Sequence, residues 1–526
     1  MLAWLLVVLS VGFQVVYGTA VLNGETKRWH KVELTWLGPF ASETGDPNPF
    51  LDYRLTVTFA HSASGKSLVV PGFFAADGDA AETSATEGDQ WRVNFSPDEL
   101  GTWEYTVSFV TGANVAVSND PGTPMSPDGD TGSFVVTETD KSWPDFRQRG
   151  RLIYVGERYL KFAGTNDYFL KLGSDSPEGL LDFEDFDNTP ELNPGQRRSW
   201  SAHLQDWKEG DPTWQEGKGK GLIGAINYLS GRNLNAVSFL THSYLGSDGN
   251  VFIYLGPKER FRIDISKLDQ WGIVFDHMTT MGIFAHFKFG EAQSLNSWDN
   301  GTLGIERKLY YRELVSRFSH LLALNWNLGE EVVFPVDAIP YTNERRIKMR
   351  DTAFRQNRGL IIPIETIKSF ASYIVSVDPY GHNVALHTYP TEDVKGPAYE
   401  AIIGFDAIRT ASLQSNSFLN TTFEDALRWV NASTVAGSPL VVTSDEQGPW
   451  ESGILADSLD PEHDLNRSSV LWPHFLAGGA GFESYAGWWF FPQSDLSLND
   501  YRSRDKWWTQ MLRVFEFFLG FDLPFW

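Results

Sequence analysis

The chain has 526 residues, of which 42% are hydrophobic, and it contains no cysteine. This length exceeds one ordinary domain and allows a large core plus a smaller module, neither of which needs disulfides. The formal net charge of −24 at pH 7 argues against partners such as nucleic acids and anionic membrane surfaces. It also makes a strongly anionic polysaccharide a harder substrate.

Residues 1–18 are predicted to be a secretory signal peptide, because an apolar run at residues 5–9 precedes a small-residue cleavage pattern ending at Gly18. The run is short for the alternative, an uncleaved membrane anchor. We therefore expect a secreted, extracellular protein with no membrane association after cleavage. The sequence does not indicate an oligomeric state. Glycosylation triplets, which predict a glycoprotein in a glycosylating host, begin at Asn94, Asn300, Asn420, Asn431 and Asn466.

Residues 19–138 are predicted to form an antiparallel β-sandwich. Short stretches of alternating polar and apolar residues are separated by Gly, Pro, Asp and Ser, as is typical of strands joined by turns. Residues 112–130 are expected to be a long surface loop. The composition changes at residues 139–146, where we place the domain boundary. The clearest strands are residues 55–59, 91–95, 103–109 and 132–137.

Residues 139–526 are predicted to form a (β/α)₈ barrel, because eight apolar runs alternate with helical patterns. A doubly wound open sheet is the alternative. The predicted strands are residues 168–172, 236–240, 283–287, 324–328, 384–387, 411–414, 440–443 and 481–484. The clearest helices are residues 265–281, 306–322, 364–377, 422–430 and 469–477.

A long polar segment, residues 173–219, follows the first predicted strand and contains Trp200, Trp207 and Trp214. In a barrel this loop lies on the face that holds the active site. It is either a lid or cleft wall for a substrate, or an inert insertion.

Carboxylates follow the fourth and the seventh predicted strands, as Glu330 and Glu331 and as Asp445 and Glu446. A glycosidase needs two carboxyls, one to protonate the leaving oxygen and one to attack or stabilise the sugar cation. Side chains alternate along a strand, so we expect one residue of each pair to face the barrel mouth. We predict that Glu331 and Glu446 do so and that Asp445 points away. In a retaining enzyme their carboxyls lie about 5–5.5 Å apart.

Three histidines lie at or near the ends of the second, third and fifth predicted strands: His242, His286 and His387. They either ligate a metal or, as we favour, hydrogen-bond hydroxyls and orient a carboxylate. Residues after the eighth strand, including Tyr485 and Trp489, are expected to complete the cleft floor and a stacking platform. The candidates for substrate contact are Glu330, His242, His286, His387, Tyr389, Asp445, Glu483 and Trp488.

The chain resembles the clan A glycoside hydrolases, and from about residue 21 to 526 it is similar to a family of secreted glycosidases. In that family an immunoglobulin-like domain of unknown function precedes the barrel. The segments that carry the resemblance are residues 94–97, 101–105, 286–288, 308–314, 325–331, 445–449 and 477–481. The resemblance implies that Glu331 is the general acid/base and Glu446 the nucleophile. Glu330 stands where the clan usually has Asn.

We therefore predict a secreted, retaining glycoside hydrolase that acts on a poly- or oligosaccharide. Two glutamates suffice for this chemistry, so no metal or organic cofactor is expected. Two alternatives stay open: a non-catalytic carbohydrate-binding protein on a degenerate barrel, and a metal-dependent barrel hydrolase that uses the three histidines.

Overall fold

The computed structural model describes residues 20–192, 195–244, 249–332, 362–416, 421–449, 452–488 and 491–521. The predicted signal peptide, Trp489 and Asn420 lie outside the described residues. No helix within these ranges has the length and apolarity that a membrane span requires.

The N-terminal part is a sandwich of two antiparallel sheets, as predicted. Aromatic rings from both sheets fill the space between them; the rings of Phe59 and Phe95, for example, stack with centroids 3.9 Å apart. The first sheet contains Val21–Gly24, Val32–Ser42, Glu87–Phe95 and Phe73–Phe74 in spatial order. The second contains Ser67–Pro71, Tyr53–His61, Gly101–Thr111 and Thr123–Pro124, and Thr131–Val136 also pairs with Gly101–Thr111.

A small sheet lies between the sandwich and the barrel in sequence. It consists of Leu152–Ile153, Leu160–Phe162 and Tyr168–Phe169. The run predicted as the first barrel strand, residues 168–172, is therefore divided between this sheet and the barrel. Apolar character continues through Leu170, so the sequence pattern does not reveal the break.

The rest of the chain is built on eight parallel strands that close into a barrel, which confirms the predicted fold class and excludes the open doubly wound sheet. The described strand residues are buried, because one face lines the interior and the other is covered by helices. In chain order the barrel strands are Lys171–Ser174, Ala236–Leu240, Phe284–Lys288, Leu324–Asn327, Asn383–His387, Thr410–Asn416, Val441–Gly448 and Gly481–Ser484.

The helix Ile265–Met281 has the predicted bounds because both of its ends are marked by local chemistry. Asp264 accepts a hydrogen bond from the Lys267 amide at 3.0 Å, and Gly282 ends the helix with φ +70°. The other described α-helices are Ala80–Thr83, Lys220–Gly231, Ile305–Phe318, Ile364–Val377, Glu392–Ile402, Thr422–Val435, Asp464–Asn466, Trp472–Leu476 and Asp505–Leu519. Shorter turns of 3₁₀ or π-helix connect several of these elements.

The sandwich docks against the barrel through the helix Ile305–Phe318. Arg312 donates to the carbonyl oxygens of Leu55 at 3.1 Å and Gly72 at 3.3 Å. Arg317 donates to the Phe74 carbonyl at 2.9 Å. Both arginines are buried, so these hydrogen bonds hold the two parts together in a region that water does not reach.

We expect Arg317→Met to lower the free energy of unfolding by about 3–5 kcal/mol, because Glu313 and Asp269 lose their shorter ion pair and keep only a longer one with Arg312 and Arg92. Arg317 lies 3.0 Å from Asp269 and 3.4 Å from Glu313. Urea denaturation measures the change, and the exposed Arg513→Met is the control, expected to stay within about 0.5 kcal/mol. Equal effects for the two variants would contradict a structural role for the docking helix.

Candidate active site

A buried ionic network forms the floor of the site inside the barrel. Lys171, on the first barrel strand, lies 2.6 Å from the Asp445 carboxylate and 3.0 Å from that of Glu483. Burial alone would raise the pKa of Asp445, but the Lys171 ammonium lowers it below its usual range. Burial opposes the charge of Lys171, yet the two carboxylates together raise the pKa of its ammonium group. The three charges therefore stabilise one another without solvent.

A chain of hydrogen bonds leads from this floor to the loop after the fourth strand. Asn327 donates from Nδ2 to His286 Nε2 at 3.0 Å, so His286 Nδ1 carries the proton that it donates to Glu483 at 2.6 Å. The side-chain oxygen of Asn327, Oδ1, accepts a hydrogen bond from the Gly329 amide at 3.4 Å. The floor thus orients the backbone that carries Glu330.

The two adjacent glutamates lie beyond the regular strand, which ends at Asn327. A Cβ at Gly329 would lie 2.7 Å from the Leu295 side chain, and φ there is +155°, so this position favours glycine. The Glu330 amide donates to the Gly290 carbonyl at 2.8 Å, and Glu331 adopts φ +47°. A turn, and not strand alternation, therefore sets the directions of the two side chains.

Glu330 and Glu331 differ in burial and partners. Glu330 is 6% exposed, and one of its carboxylate oxygens lies within 4.8 Å of both a Glu446 oxygen and a His387 nitrogen. Glu331 is half-buried and accepts a hydrogen bond from Gln414 Nε2 at 3.1 Å. Glu331 is also close enough to Glu446 for its charge to raise the Glu446 pKa.

A β-bulge in the seventh strand brings Asp445 and Glu446 to the same side. Ser444 pairs with Leu413 and Glu446 with Gln414, so Asp445 is the extra residue between two pairs. Asp445 reaches down to Lys171, whereas His387 Nε2 lies 3.2 Å from Glu446 at the mouth. The expectation that Asp445 points away from the interior is wrong, because the bulge interrupts the alternation.

The carboxylates at the mouth repel one another in a buried site. Burial raises the pKa of Glu446 well above its usual range, and the charges of Glu331 and Glu178 add to this effect, whereas Lys288 opposes it. The pKa of Glu330 rises for the same reasons, with Glu178 as its strongest charged neighbour. His387 stays neutral, because burial and then Lys288 lower its pKa well below the usual range.

The sequence analysis missed three ionisable residues of the mouth: Lys288, Asp175 and Glu178. Lys288 Nζ lies 2.8 Å from Asp175 and 2.7 Å from Glu178. Asp175 and Glu178 follow the first barrel strand, and Lys288 ends the third. Extending the search for strand-end charges from the fourth and seventh strands to all eight would have found them.

Three of the predicted contact residues, His242, His286 and Glu483, have described partners other than Glu331 and Glu446. His242 is fully buried, its ring is 4.5 Å from that of Trp298, and no described residue hydrogen-bonds to its nitrogens. His286 and Glu483 belong to the floor. Tyr389 and Trp488 are half-buried. These placements favour packing or support for His242, His286 and Glu483, and their predicted contacts with substrate stay untested.

The tryptophans of the long segment after the first strand pack into the protein. The Trp214 ring stacks on Phe186 with centroids 5.3 Å apart, and Trp200 stacks on Tyr501 at 5.1 Å. Both tryptophans are buried, and Trp207 is partly buried. The part of this segment that builds the mouth is its beginning, with Asp175 and Glu178, and not its tryptophans.

The histidines do not converge on one point. In the described part of the chain, the barrel groups with metal-ligand spacing are His286 with Asp445 and Glu483, and His387 with Glu330 and Glu446. Each contains a single histidine. The first already holds the Lys171 ammonium among its carboxylates. This arrangement favours histidines that orient carboxylates over a three-histidine metal centre.

Comparison with known proteins supports the architecture. Residues 25–110 match a family described as a domain of unknown function, DUF5060. No curated protein matches the sequence. The chain is similar to the solved structure of a candidate glycoside hydrolase from Bacteroides vulgatus, with 15% identity over 93% of this chain and 78% of that chain and a TM-score of 0.57. An endo-1,4-β-mannanase from Rhizomucor miehei aligns at 12% identity over 70% of this chain and 99% of that chain, with a TM-score of 0.43. The first similarity shows a shared fold.

We expect Lys171→Met to lower the free energy of unfolding by about 3–5 kcal/mol near pH 7, because Asp445 and Glu483 lose their buried counter-charge. The loss should shrink towards pH 4, where the orphaned carboxylates take up protons and become neutral. Denaturation at several pH values measures this trend, with the exposed Lys506→Met as control. A loss that does not depend on pH would contradict the ionic account of the floor.

Proposed function

We propose that this protein is a secreted glycoside hydrolase that cleaves O-glycosidic bonds of a poly- or oligosaccharide with retention of configuration. One observation carries the proposal: carboxylates from the ends of the fourth and seventh strands meet at the barrel mouth, with Glu330 and Glu446 oxygens within 4.8 Å of each other. Barrel enzymes build their active sites at this face. The fold shared with the Bacteroides vulgatus protein supports the assignment.

In the proposed mechanism Glu446 is the nucleophile and Glu331 the general acid/base. The Glu446 carboxylate attacks the anomeric carbon while Glu331 gives its proton to the departing oxygen, so that a glycosyl ester forms as the C–O bond breaks. Water then attacks the same carbon, Glu331 takes a proton from it, and the ester bond breaks to regenerate Glu446. Neutral His387, 3.2 Å away, orients the Glu446 carboxylate by a hydrogen bond from Nε2.

Exposure favours Glu331 over Glu330 as the acid/base. The acid/base must reach both the leaving group and the attacking water, which arrive from solvent. Glu331 is half-buried and held by Gln414, whereas Glu330 is 6% exposed beside Glu446. Glu330 is better placed to act on the nucleophile than on the leaving group.

Secretion and glycosylation are part of the proposal, and burial selects among the triplets. Asn94 is buried and donates to the Arg317 carbonyl at 3.1 Å, so a glycan there would disrupt the sandwich–barrel contact. Asn466 is also buried, whereas Asn300 and Asn431 are exposed. A glycosylating host should modify Asn300 and Asn431. N-terminal sequencing and glycopeptide mapping of secreted protein test both points.

The nucleophile is tested with Glu446→Ala. We expect hydrolysis to be lost and azide to restore turnover of an activated aryl glycoside, giving a glycosyl azide of inverted configuration. A panel of aryl glycosides and polysaccharides first identifies the substrate, and NMR of the wild-type product should show retention. Glu424→Ala, at an exposed helical position, is the control. An inverted product would refute the retaining mechanism.

The acid/base is tested with Glu331→Gln. We expect kcat to fall by about 10²–10⁴-fold on substrates with poor leaving groups and much less on activated aryl glycosides, which need no proton. A dependence on leaving-group pKa that appears only in Glu331→Gln supports the role. The same dependence in Glu330→Gln, and its absence in Glu331→Gln, would transfer the role to Glu330.

Binding without turnover would favour the alternative of a carbohydrate-binding protein. Calorimetric titration with the same glycan panel distinguishes that outcome, because a binding protein gives affinity and no product. Loss of activity on chelation, restored by a metal ion, would instead support the metal-dependent hydrolase.

A further inference from the structure

Glu330 faces charged or titratable groups from six different parts of the barrel mouth. Its own turn contributes Glu331, and the other groups come from the first, third, fifth, seventh and eighth strands or the loops that follow them. In the described part of the chain these groups are Glu178, Lys288, Glu331, His387, Glu446 and Tyr485. A buried carboxyl in such surroundings needs either a cation of its own or a proton.

The cation at the mouth is already engaged by other carboxylates. Lys288 Nζ contacts Asp175 at 2.8 Å and Glu178 at 2.7 Å. His387 contributes no positive charge, because its imidazole is neutral. Glu446 must be an anion if it is to attack a sugar. An ionised Glu330 within 4.8 Å of it would thus be a second anion, and the nearby cation, Lys288, already contacts Asp175 and Glu178.

We propose that Glu330 is a positioning residue that stays protonated in the resting protein and presents its O–H to the Glu446 carboxylate. Glu330 then acts as a neutral hydrogen-bond donor that stabilises the ionised form of the Glu446 carboxylate and fixes its orientation. The directing role, and the choice of Glu330 over Glu446 as the carboxyl that holds the proton, rest on the proposed function; the need for a proton on one of these two adjacent carboxyls does not. Burial and the charges of Glu178, Glu331 and Glu446 raise the Glu330 pKa well above its usual range, against Lys288.

Glutamine distinguishes this role from that of an ionised carboxylate. It has nearly the shape of protonated glutamate, it donates a hydrogen bond, and it does not ionise. Glu330→Gln should therefore keep kcat within about tenfold of the wild type, whereas Glu330→Ala, which lacks the donor, should lose on the order of 10²-fold. In Glu330→Asp the side chain is shorter and still ionises, so we expect its kcat to be lower than that of Glu330→Gln.

The pH dependence of stability tests protonation without any substrate. A carboxyl whose pKa is raised by folding stabilises the folded protein at low pH, and this contribution is lost as the pH rises through the folded-state pKa. The melting temperature of Glu330→Gln, relative to the wild type, should therefore increase steadily from pH 4 to pH 8. The exposed control Glu424→Gln should show a difference that does not change with pH.

The pH dependence of activity tests the positioning role. An activated aryl glycoside is used, because its departure does not depend on the Glu331 proton. Wild-type kcat should fall as the pH rises and Glu330 loses its proton, and in Glu330→Gln this fall should move to higher pH.

Each outcome has a distinct meaning. If the difference in melting temperature between Glu330→Gln and the wild type does not change from pH 4 to pH 8, the protonation of Glu330 is refuted. If that difference increases with pH but the pH dependence of kcat is the same in Glu330→Gln and the wild type, the role of Glu330 in positioning Glu446 is refuted. If the difference in melting temperature increases with pH but the protein hydrolyses no glycan, the proposed function is refuted and the protonation of Glu330 is supported.

Discussion

The ion pairs that Lys171 makes with Asp445 and Glu483 are the contact on which the rest of the site depends. They join the first, seventh and eighth barrel strands in the interior, where no solvent compensates a lone charge. Through Glu483 the network also fixes the tautomer of His286. His286 in turn orients Asn327 and the turn that follows it. The ionic network at the barrel floor therefore helps to determine where the carboxylates of the mouth lie.

Two of the buried lysines among the described residues, Lys171 and Lys288, belong to barrel strands, and each is paired with two carboxylates. Lys171 neutralises the floor, and Lys288 is engaged by Asp175 and Glu178 at the mouth. Glu330 and Glu446 are left with no lysine of their own among the described residues. This separation explains how one barrel contains both an acid whose pKa is lowered, Asp445, and acids whose pKa values are raised well above the usual range, Glu330 and Glu446.

Much of the architecture was predictable, because local periodicity and end signals determine it. The strand Ala236–Leu240 and the helix Ile265–Met281 have the predicted bounds. The bulge at Asp445 was not predictable, since it depends on the register between the sixth and seventh strands. Lys288 could be found as a charge at a strand end, but its pairing with Glu178, 110 residues earlier in the chain, depends on the closed barrel. The burial of His242 among aromatic rings likewise depends on distant segments.

The docking of the sandwich has an evolutionary consequence. Arg312 and Arg317 bind main-chain oxygens of Leu55, Gly72 and Phe74 and none of their side chains. Since every residue type offers the same carbonyl, substitutions at these positions keep the acceptors as long as the strands keep their shape. At these three positions the barrel therefore recognises the course of the neighbouring backbone, so their side chains can change while the acceptors for Arg312 and Arg317 stay in place, whereas Asn94 and Glu43 bind the barrel through their side chains.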